Sequence, residues 1–246
     1  MRIIAGKYRS RILKSLKGEA LRPTSDRLRE TLFDILGASV VGSRFLDVFA
    51  GTGAVGIEAL SRGAAEAFFI EHHAPSAKLI RANLDALGIA QCATILHADA
   101  LAALQKLAAR SATGVVPQPL HDVIPSEARN LLLSEDRKKE ADSSGKNRPR
   151  NDSLVDLHAP AGSADLTNSA SLVEFVFLDP PYANHADYAR TLEFLGSNSA
   201  SFLSLDALII FEHHHKFSLP ESSGRLTRTR HLKQGDAALS FFRDMT

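Results

Sequence analysis

The sequence predicts a Rossmann-like α/β fold: a mostly parallel sheet covered by helices on both faces, with a C-terminal antiparallel hairpin and a small basic N-terminal extension. Three observations lead there. Short apolar runs alternate with stretches of helical period from residue 44 to 109, and again from 173. A glycine-rich turn, Gly51-Thr52-Gly53-Ala54-Val55-Gly56, stands between the first such run and its helix. Two strand-like runs near the end flank Lys233-Gln234-Gly235-Asp236, a hairpin signal.

The elements follow in order. Residues 2–14 read as extended, with a turn near Gly6-Lys7. Pro23 closes that region, and Thr24 is placed to cap a helix over 25–37. Its Leu28, Leu32, Ile35 and Leu36 share one face, opposite Arg27, Arg29 and Glu30. Residues 44–49 form a buried-type strand, and a helix from Ala54 to about Arg62 ends at Gly63. Residues 67–71 are a second strand. Pro75 suits the first turn of a helix that presents Ala77, Ile80, Leu84 and Leu87 as a stripe and stops at Gly88. Residues 93–97 are a third strand, and Asp99 is placed to cap a helix running to about Ala109. Residues 111–170 then lose all period and become rich in Ser, Pro, Asn, Asp and Lys. They predict a long disordered insertion, with at most a transient helix over 126–133; long surface loops cost little extra closure entropy. Order resumes with a strand over 173–179, a helix over 184–195, a strand over 207–212 and terminal strands over 225–231 and 238–243. On this reading residues 1–24 are the basic extension, and 25–246 form one domain carrying the insertion.

Composition narrows the class. Of 246 residues, 44% are hydrophobic, which excludes global disorder. No stretch approaches the roughly 18–20 apolar residues that span a bilayer. The first residues lack the charged-then-apolar layout of a signal peptide. Cys92 is the lone cysteine, so neither an intramolecular disulfide nor a cysteine-rich zinc site can form. The expectation is a cytoplasmic monomer with no membrane segment. The net charge of +1 hides an asymmetry: residues 1–30 hold nine Lys and Arg against three acids. A basic arm on a mildly acidic body is the electrostatic footprint of a nucleic-acid binder.

The glycine turn carries the first chemical signal. It matches G-x-G-x-x-G in the strand-turn-helix context that the pattern requires. Glu71, twenty positions after Gly51, ends the next strand, where a carboxylate takes the hydroxyls of a ribose. Both features point to a nucleoside-containing cofactor and leave open a nicotinamide dinucleotide or S-adenosylmethionine. Asp47, four residues before Gly51, favours the second, because it would repel a pyrophosphate and attract an ammonium or sulfonium. Asp99 is placed either to meet an adenine amino group or simply to cap its helix. Thr52, His72 and Ala100 complete the expected cofactor contacts.

Asp179-Pro180-Pro181-Tyr182 carries the second signal. It ends the fourth strand, so in a parallel sheet it should border the same crevice. Its prolines fix the backbone and remove two donors. The Asp179 carboxylate and Pro180 carbonyl remain as outward acceptors for the hydrogens of an exocyclic base amine, and they meet the positive charge that grows as a C–N bond forms. Tyr182 is placed to stack on the base, a contact worth roughly 1–3 kcal/mol.

Taken together, Arg2-Ile3-Ile4-Ala5-Gly6-Lys7-Tyr8-Arg9, the stretch from Leu21 to Phe33, Asp47-Val48-Phe49-Ala50-Gly51-Thr52-Gly53 and Asp179-Pro180-Pro181-Tyr182 resemble the bacterial RsmD-type small-subunit ribosomal RNA guanine-N2 methyltransferases. The resemblance covers about residues 1–109 and 172–246. It implies a class I methyltransferase fold, with S-adenosylmethionine at Asp47, Gly51, Gly53, Glu71 and Asp99. It implies that Asp179 to Tyr182 hold the target guanine. It further implies an N-terminal extension that helps grip ribosomal RNA in an assembling small subunit, and the basic charge of residues 1–30 makes Arg9, Arg11, Arg22, Arg27 and Arg29 the expected RNA contacts. The insertion at 111–170 departs from the family pattern.

Two rivals stand beside this reading. An adenine-N6 methyltransferase would use the same tetrapeptide, and a nicotinamide-dependent oxidoreductase the same glycine turn. His213-His214-His215 does not predict a metal, because side chains alternate along a strand. Arg225, Arg228 and Arg230 read either as further basic surface or as charges that protect an edge strand.

Overall fold

The computed structural model describes residues 1–15, 25–112, 173–182 and 184–245. They belong to one compact unit, Met1–His121 with Ala170–Thr246; a second unit, Asp122–Ser169, lies outside the described residues. The expectations for Arg22, Pro23, Thr24, most of the insertion and the helix over 126–133 also fall outside them.

The elements are α1 (Asp26–Leu36), β1 (Arg44–Val48), α2 (Ala54–Ser61), β2 (Glu66–Glu71), α3 (Ala74–Leu87), β3 (Ala93–His97), α4 (Ala100–Ala112), β4 (Val173–Leu178), α5 (His185–Phe202), β5 (Leu203–His214), β6 (Ser222–Ser223), β7 (Leu226–Gln234) and β8 (Ala237–Asp244). The eight strands form one sheet in the order β3-β2-β1-β4-β5-β8-β7-β6. The five strands from β3 to β5 are parallel, whereas β8 runs antiparallel to both β5 and β7. The chain steps outward from β1 to β3 and then returns to the other side of β1. Order therefore reverses between β1 and β4, which opens a crevice at their carboxyl ends.

Both faces are packed, and the strands are apolar on both sides accordingly. Phe33, Phe45, Ile57, Phe69 and Phe175 belong to one layer; Leu46, Val48, Ile70, Leu178 and Leu192 belong to the other. Each such side chain stabilises the fold by about 1.5–3 kcal/mol on full burial.

Residues 1–15 form a small hairpin on this core. Ile3 N–H donates to the Arg11 carbonyl (3.0 Å), Leu13 N–H to the Met1 carbonyl (3.1 Å), and Arg2 bridges Ile12. Ile3 and Leu13 are buried in the first layer. The buried Glu58 of α2 accepts from the N–H groups of Ile4 (2.8 Å) and Ala5 (2.9 Å). Ser61 accepts from Tyr8 N–H (3.0 Å) and donates to the Ala5 carbonyl (2.6 Å).

Several boundaries differ from the sequence expectation; β7, for one, runs to Gln234, so that Lys233 and Gln234 pair in the strand and leave Gly235 and Asp236 as the turn. Ser25, not Thr24, caps α1, its hydroxyl accepting from Leu28 N–H at 3.1 Å. Helix α5 continues past Leu195 because Gly196 is a packing glycine: a Cβ there would stand 2.1 Å from the Ser223 carbonyl oxygen. Ser199, one turn further, bonds Asp244 at 2.8 Å. Strand β5 begins at Leu203, where a register shift opposite Val173 and Phe175 interrupts the alternation that marks a strand in sequence.

Candidate active site

Strand β1 delivers Asp47 and Val48 to the glycine turn. Phe49 follows at φ +65°, a left-handed conformation rare for an aromatic residue and costly by about 1 kcal/mol or more. Gly53, at φ +75°, starts α2. Gly56 sets the distance between α2 and β2, because a Cβ there would lie 2.4 Å from the Phe69 ring. The third glycine of the pattern thus serves helix-to-strand packing.

Two carboxylates converge on this turn. Glu71, at the end of β2, accepts from Gly51 N–H (2.7 Å) and from His73 N–H (2.7 Å). Asp47 is 2% exposed and accepts from Gly56 N–H at 2.9 Å. Burial pushes the Asp47 carboxyl up to about 8; the Gly56 hydrogen bond opposes this and the nearby Glu71 charge adds to it. A ligand cation at this turn would be attracted and would bring that value down.

The other expected cofactor residues lie around these. Thr52 is buried, and its carbonyl meets Asn83 Nδ2 at 3.4 Å. His72 is exposed, with Nδ1 3.4 Å from Glu71 Oε1. Asp99 is an exposed cap of α4 that accepts from Ala102 N–H at 3.2 Å, and Ala100 is buried behind it.

The tetrapeptide lies on the neighbouring strand end. Val48 stands opposite Leu178, and Asp179 N–H reaches the Val48 carbonyl at 3.5 Å. The two motifs, far apart in sequence, therefore flank one crevice. Asp179 and Tyr182 are half-buried, Pro180 is buried and Pro181 is exposed. Tyr182 Oη is 3.5 Å from Glu212 Oε1, and its ring meets His214 edge-on at 5.8 Å.

One expectation is corrected here. The Pro180 carbonyl does not point outward unengaged: the buried Tyr188 hydroxyl donates to it at 2.9 Å, and also lies 3.2 Å from the Glu212 carbonyl. One lone pair remains for a substrate. Sequence reasoning placed Tyr188 on the apolar stripe of α5 and missed this role. Burial, with the charge of Asp179 as the next cause, pushes the Tyr188 phenol above its ordinary range, so the hydroxyl stays protonated as a donor.

The basic residues divide. Arg9, Arg11 and Arg27 are exposed, whereas Arg29 is 0% exposed and does not reach the surface a phosphate would meet. Arg29 bonds the Arg2 carbonyl (2.7 Å) and Asp26 (2.9 Å) and lies 3.7 Å from Glu58, tying α1 and the arm to α2. Arg225 pairs with Asp244 at 2.8 Å, Arg228 donates to the Leu219 carbonyl at 3.0 Å, and Arg230 lies over the Phe241 ring. Arg228 is half-buried, whereas Arg225 and Arg230 are exposed. The three histidines also separate. His213 is buried against Ser240 (2.9 Å), but β5 ends at His214, so the alternation stops there. His214 and His215 stack, and with Asp236 they hold one ligand-type atom each within 4.8 Å. His214 Nδ1 accepts Lys216 N–H at 3.1 Å.

A sheet of this order, with the glycine turn after β1, an acid ending β2 and Asp-Pro-Pro-Tyr ending β4, has the class I methyltransferase fold. The family model described as Conserved hypothetical protein 95 matches residues 1–118 and 147–243. The chain belongs to that family, the RsmD-type family its motifs resemble. It is 41% identical over 133 residues to "Ribosomal RNA small subunit methyltransferase D" of Escherichia coli (strain K12), covering 54% of this chain and 66% of that one. It is 38% identical over 110 residues to "Putative rRNA methyltransferase YlbH" of Bacillus subtilis (strain 168), covering 45% of this chain and 60% of the other. The chain thus spans less than two thirds of the length of either relative. The solved structure "Putative methyltransferase yhhF from Escherichia coli" superimposes with a TM-score of 0.64 at 27% identity, covering 99% of this chain and 97% of that one. Among the described residues, no helix is long and apolar enough to cross a membrane.

Proposed function

We propose that this protein transfers a methyl group from S-adenosylmethionine to the exocyclic N2 amine of a guanine in small-subunit ribosomal RNA. The single observation that carries the reading is the pairing of strand ends, with Asp179 bonded to Val48 at 3.5 Å so that an amine-holding tetrapeptide borders a cofactor-type glycine turn. The buried Asp47 carboxylate fits a cationic cofactor and disfavours a pyrophosphate, and so argues against a nicotinamide dinucleotide. Glu71 is fixed against the turn by Gly51 and keeps acceptor capacity for ribose hydroxyls. When bound, the cofactor supplies an electrophilic methyl on a sulfonium. The remaining work belongs to the chain. Asp179 and the Pro180 carbonyl orient the amine and stabilise its growing positive charge. Tyr182 supports the base ring after it leaves its stack, and Tyr188 keeps the Pro180 carbonyl in place. Arg9, Arg11 and Arg27 extend the site toward phosphates, as the names of the curated relatives suggest for an RNA substrate.

The test is base analysis of RNA from small ribosomal particles incubated with a labelled methyl donor and the full chain. N2-methylguanine, absent with Asp179→Ala, supports the proposal. N6-methyladenine would replace it with the adenine reading, and undiminished turnover by Asp179→Ala would overturn the role of that residue.

A further inference from the structure

Asn83 ties the N-terminal arm to the glycine turn. It lies on α3 and is 2% exposed. Its Oδ1 accepts from Lys14 N–H at 2.8 Å, while its Nδ2 reaches the Lys14 carbonyl at 3.3 Å and the Thr52 carbonyl at 3.4 Å. Both amide hydrogens and the amide oxygen are therefore committed, the oxygen and one hydrogen to the arm and the other hydrogen to the turn. A second contact joins the same parts, since the Thr52 hydroxyl lies 3.7 Å from Met1 Sδ. The Thr52–Gly53 peptide stands between two glycines in the left-handed region, Gly51 at φ +54° and Gly53 at φ +75°, and is held on both edges: Gly53 N–H donates to the Ala50 carbonyl at 2.7 Å, and the Thr52 carbonyl accepts from Asn83. Gly51 in turn donates to Glu71. The paired chain of the arm that ends at Lys14 also carries Arg9 and Arg11 into solvent.

We propose that Asn83 is a positioning residue that couples seating of the arm to the shape of the cofactor turn, so that RNA held by the arm and the cofactor tighten each other's binding. The inference rests on the methyl-donor reading above. With the arm seated, the Thr52 carbonyl is held and the turn presents one conformation. With the arm lifted, the Thr52 peptide keeps its Gly53–Ala50 bond but loses the second hold through a freed Asn83, so the turn is looser and a ligand must tighten it. Any such coupling is reciprocal by thermodynamic necessity.

The experiment measures S-adenosylhomocysteine binding to the full chain by calorimetry, with and without a small-subunit ribosomal RNA fragment, and RNA binding by anisotropy with and without S-adenosylhomocysteine. In the wild type each ligand should tighten the other by the same factor, about fivefold or more. Asn83→Ala should reduce both factors to one and weaken S-adenosylhomocysteine binding in the absence of RNA. Lys14→Pro deletes the N–H that Asn83 accepts while leaving the buried side chains in place, and should do the same; it serves also if Asn83→Ala does not fold. Tryptic cleavage at Arg9 and Arg11, slowed by S-adenosylhomocysteine in the wild type, should become indifferent to it in both variants. A residue that merely supports the fold would lower stability and leave the reciprocal factors untouched. Wild-type coupling retained in a folded variant overturns the proposal, as does wild-type binding without coupling. Failure of the wild type to bind S-adenosylhomocysteine at all would sink the methyl-donor reading and this inference with it.

Discussion

Replacing Glu58 by alanine tests how the arm is held. Glu58 is fully buried and accepts from Ile4 N–H, Ala5 N–H and Arg62 Nε at 2.8, 2.9 and 2.9 Å, with Arg29 Nε 3.7 Å away. Removing the carboxylate leaves the buried Arg29 guanidinium, among the described residues, with Asp26 and one carbonyl as partners; there its Nε and Nη1 already have no hydrogen-bond partner. Breaking a buried pair by deleting one partner costs about 3–5 kcal/mol. The chain can limit that loss by releasing the arm, which lets water reach Arg29 and the freed N–H groups. Release exposes Ile3 and Leu13, each worth about 1.5–3 kcal/mol, so the second route is no cheaper than about 3–6 kcal/mol. Both routes give a loss near 4 kcal/mol, a large part of the stability of a single domain. Glu58→Gln keeps the volume and one acceptor and should lose about half as much. Urea unfolding followed by far-ultraviolet circular dichroism measures the loss, since the chain has no tryptophan. Trypsin sensitivity at Arg9 and Arg11 distinguishes arm release from global weakening. A loss below about 1 kcal/mol with undiminished protection of the arm would refute the reasoning.

Three further outcomes are expected. Tyr188→Phe removes the donor to the Pro180 carbonyl; steady-state kinetics should show kcat lower by about tenfold, the equivalent of one hydrogen bond, with the KM for the methyl donor unchanged. Asp47, raised from 3.8 to about 8, favours its protonated form in the fold, so its contribution to stability is complete below about pH 4 and is lost as pH rises toward 8. A cationic cofactor opposes that shift, so calorimetry in buffers of different ionisation enthalpy should show proton release on binding near pH 7, and Asp47→Asn should abolish the release. Replacing Arg9, Arg11 and Arg27 by alanine should lower the slope of log affinity against log salt for RNA by about two, whereas Arg29→Ala should lower stability instead.

Much of this was legible in the sequence because it is local. Strand-turn-helix order around Gly51, the acid at Glu71 and the prolines after β4 all declare themselves within a few residues. Arg29 did not, because reading the charged face of α1 from Arg27 and Glu30 hid where the stripe lies. Phe33, four residues after Arg29, and Leu36, seven after, are both buried, and that spacing puts Arg29 inside the apolar stripe. A lone Glu58 in the otherwise apolar Ala54–Ser61 was the complementary signal: a charge in a wholly buried helix needs a partner. Tyr188 was correctly placed on an apolar face, but its hydroxyl partner is a carbonyl on another element, which no period reveals.

The same logic explains why the geometry of the candidate site does not depend on the chain between α4 and β4. Asp179 reaches Val48 only because β4 pairs with β1 in one register, Phe45 opposite Phe175 through Val48 opposite Leu178. A slip by one residue would turn Phe175 and Phe177 out of the layer they share with Phe45 and drive Val176 and Leu178 into it. Both layers would then be mispacked, since each is filled by side chains of one parity. The two-sided core therefore fixes where Asp179 emerges, whatever length of chain precedes β4. The register that buries Phe175 and Phe177 also carries Asp179 and Pro180 to the glycine turn. A cavity in that layer, as in Phe177→Ala, should disturb turnover through the position of Asp179 as well as lowering stability.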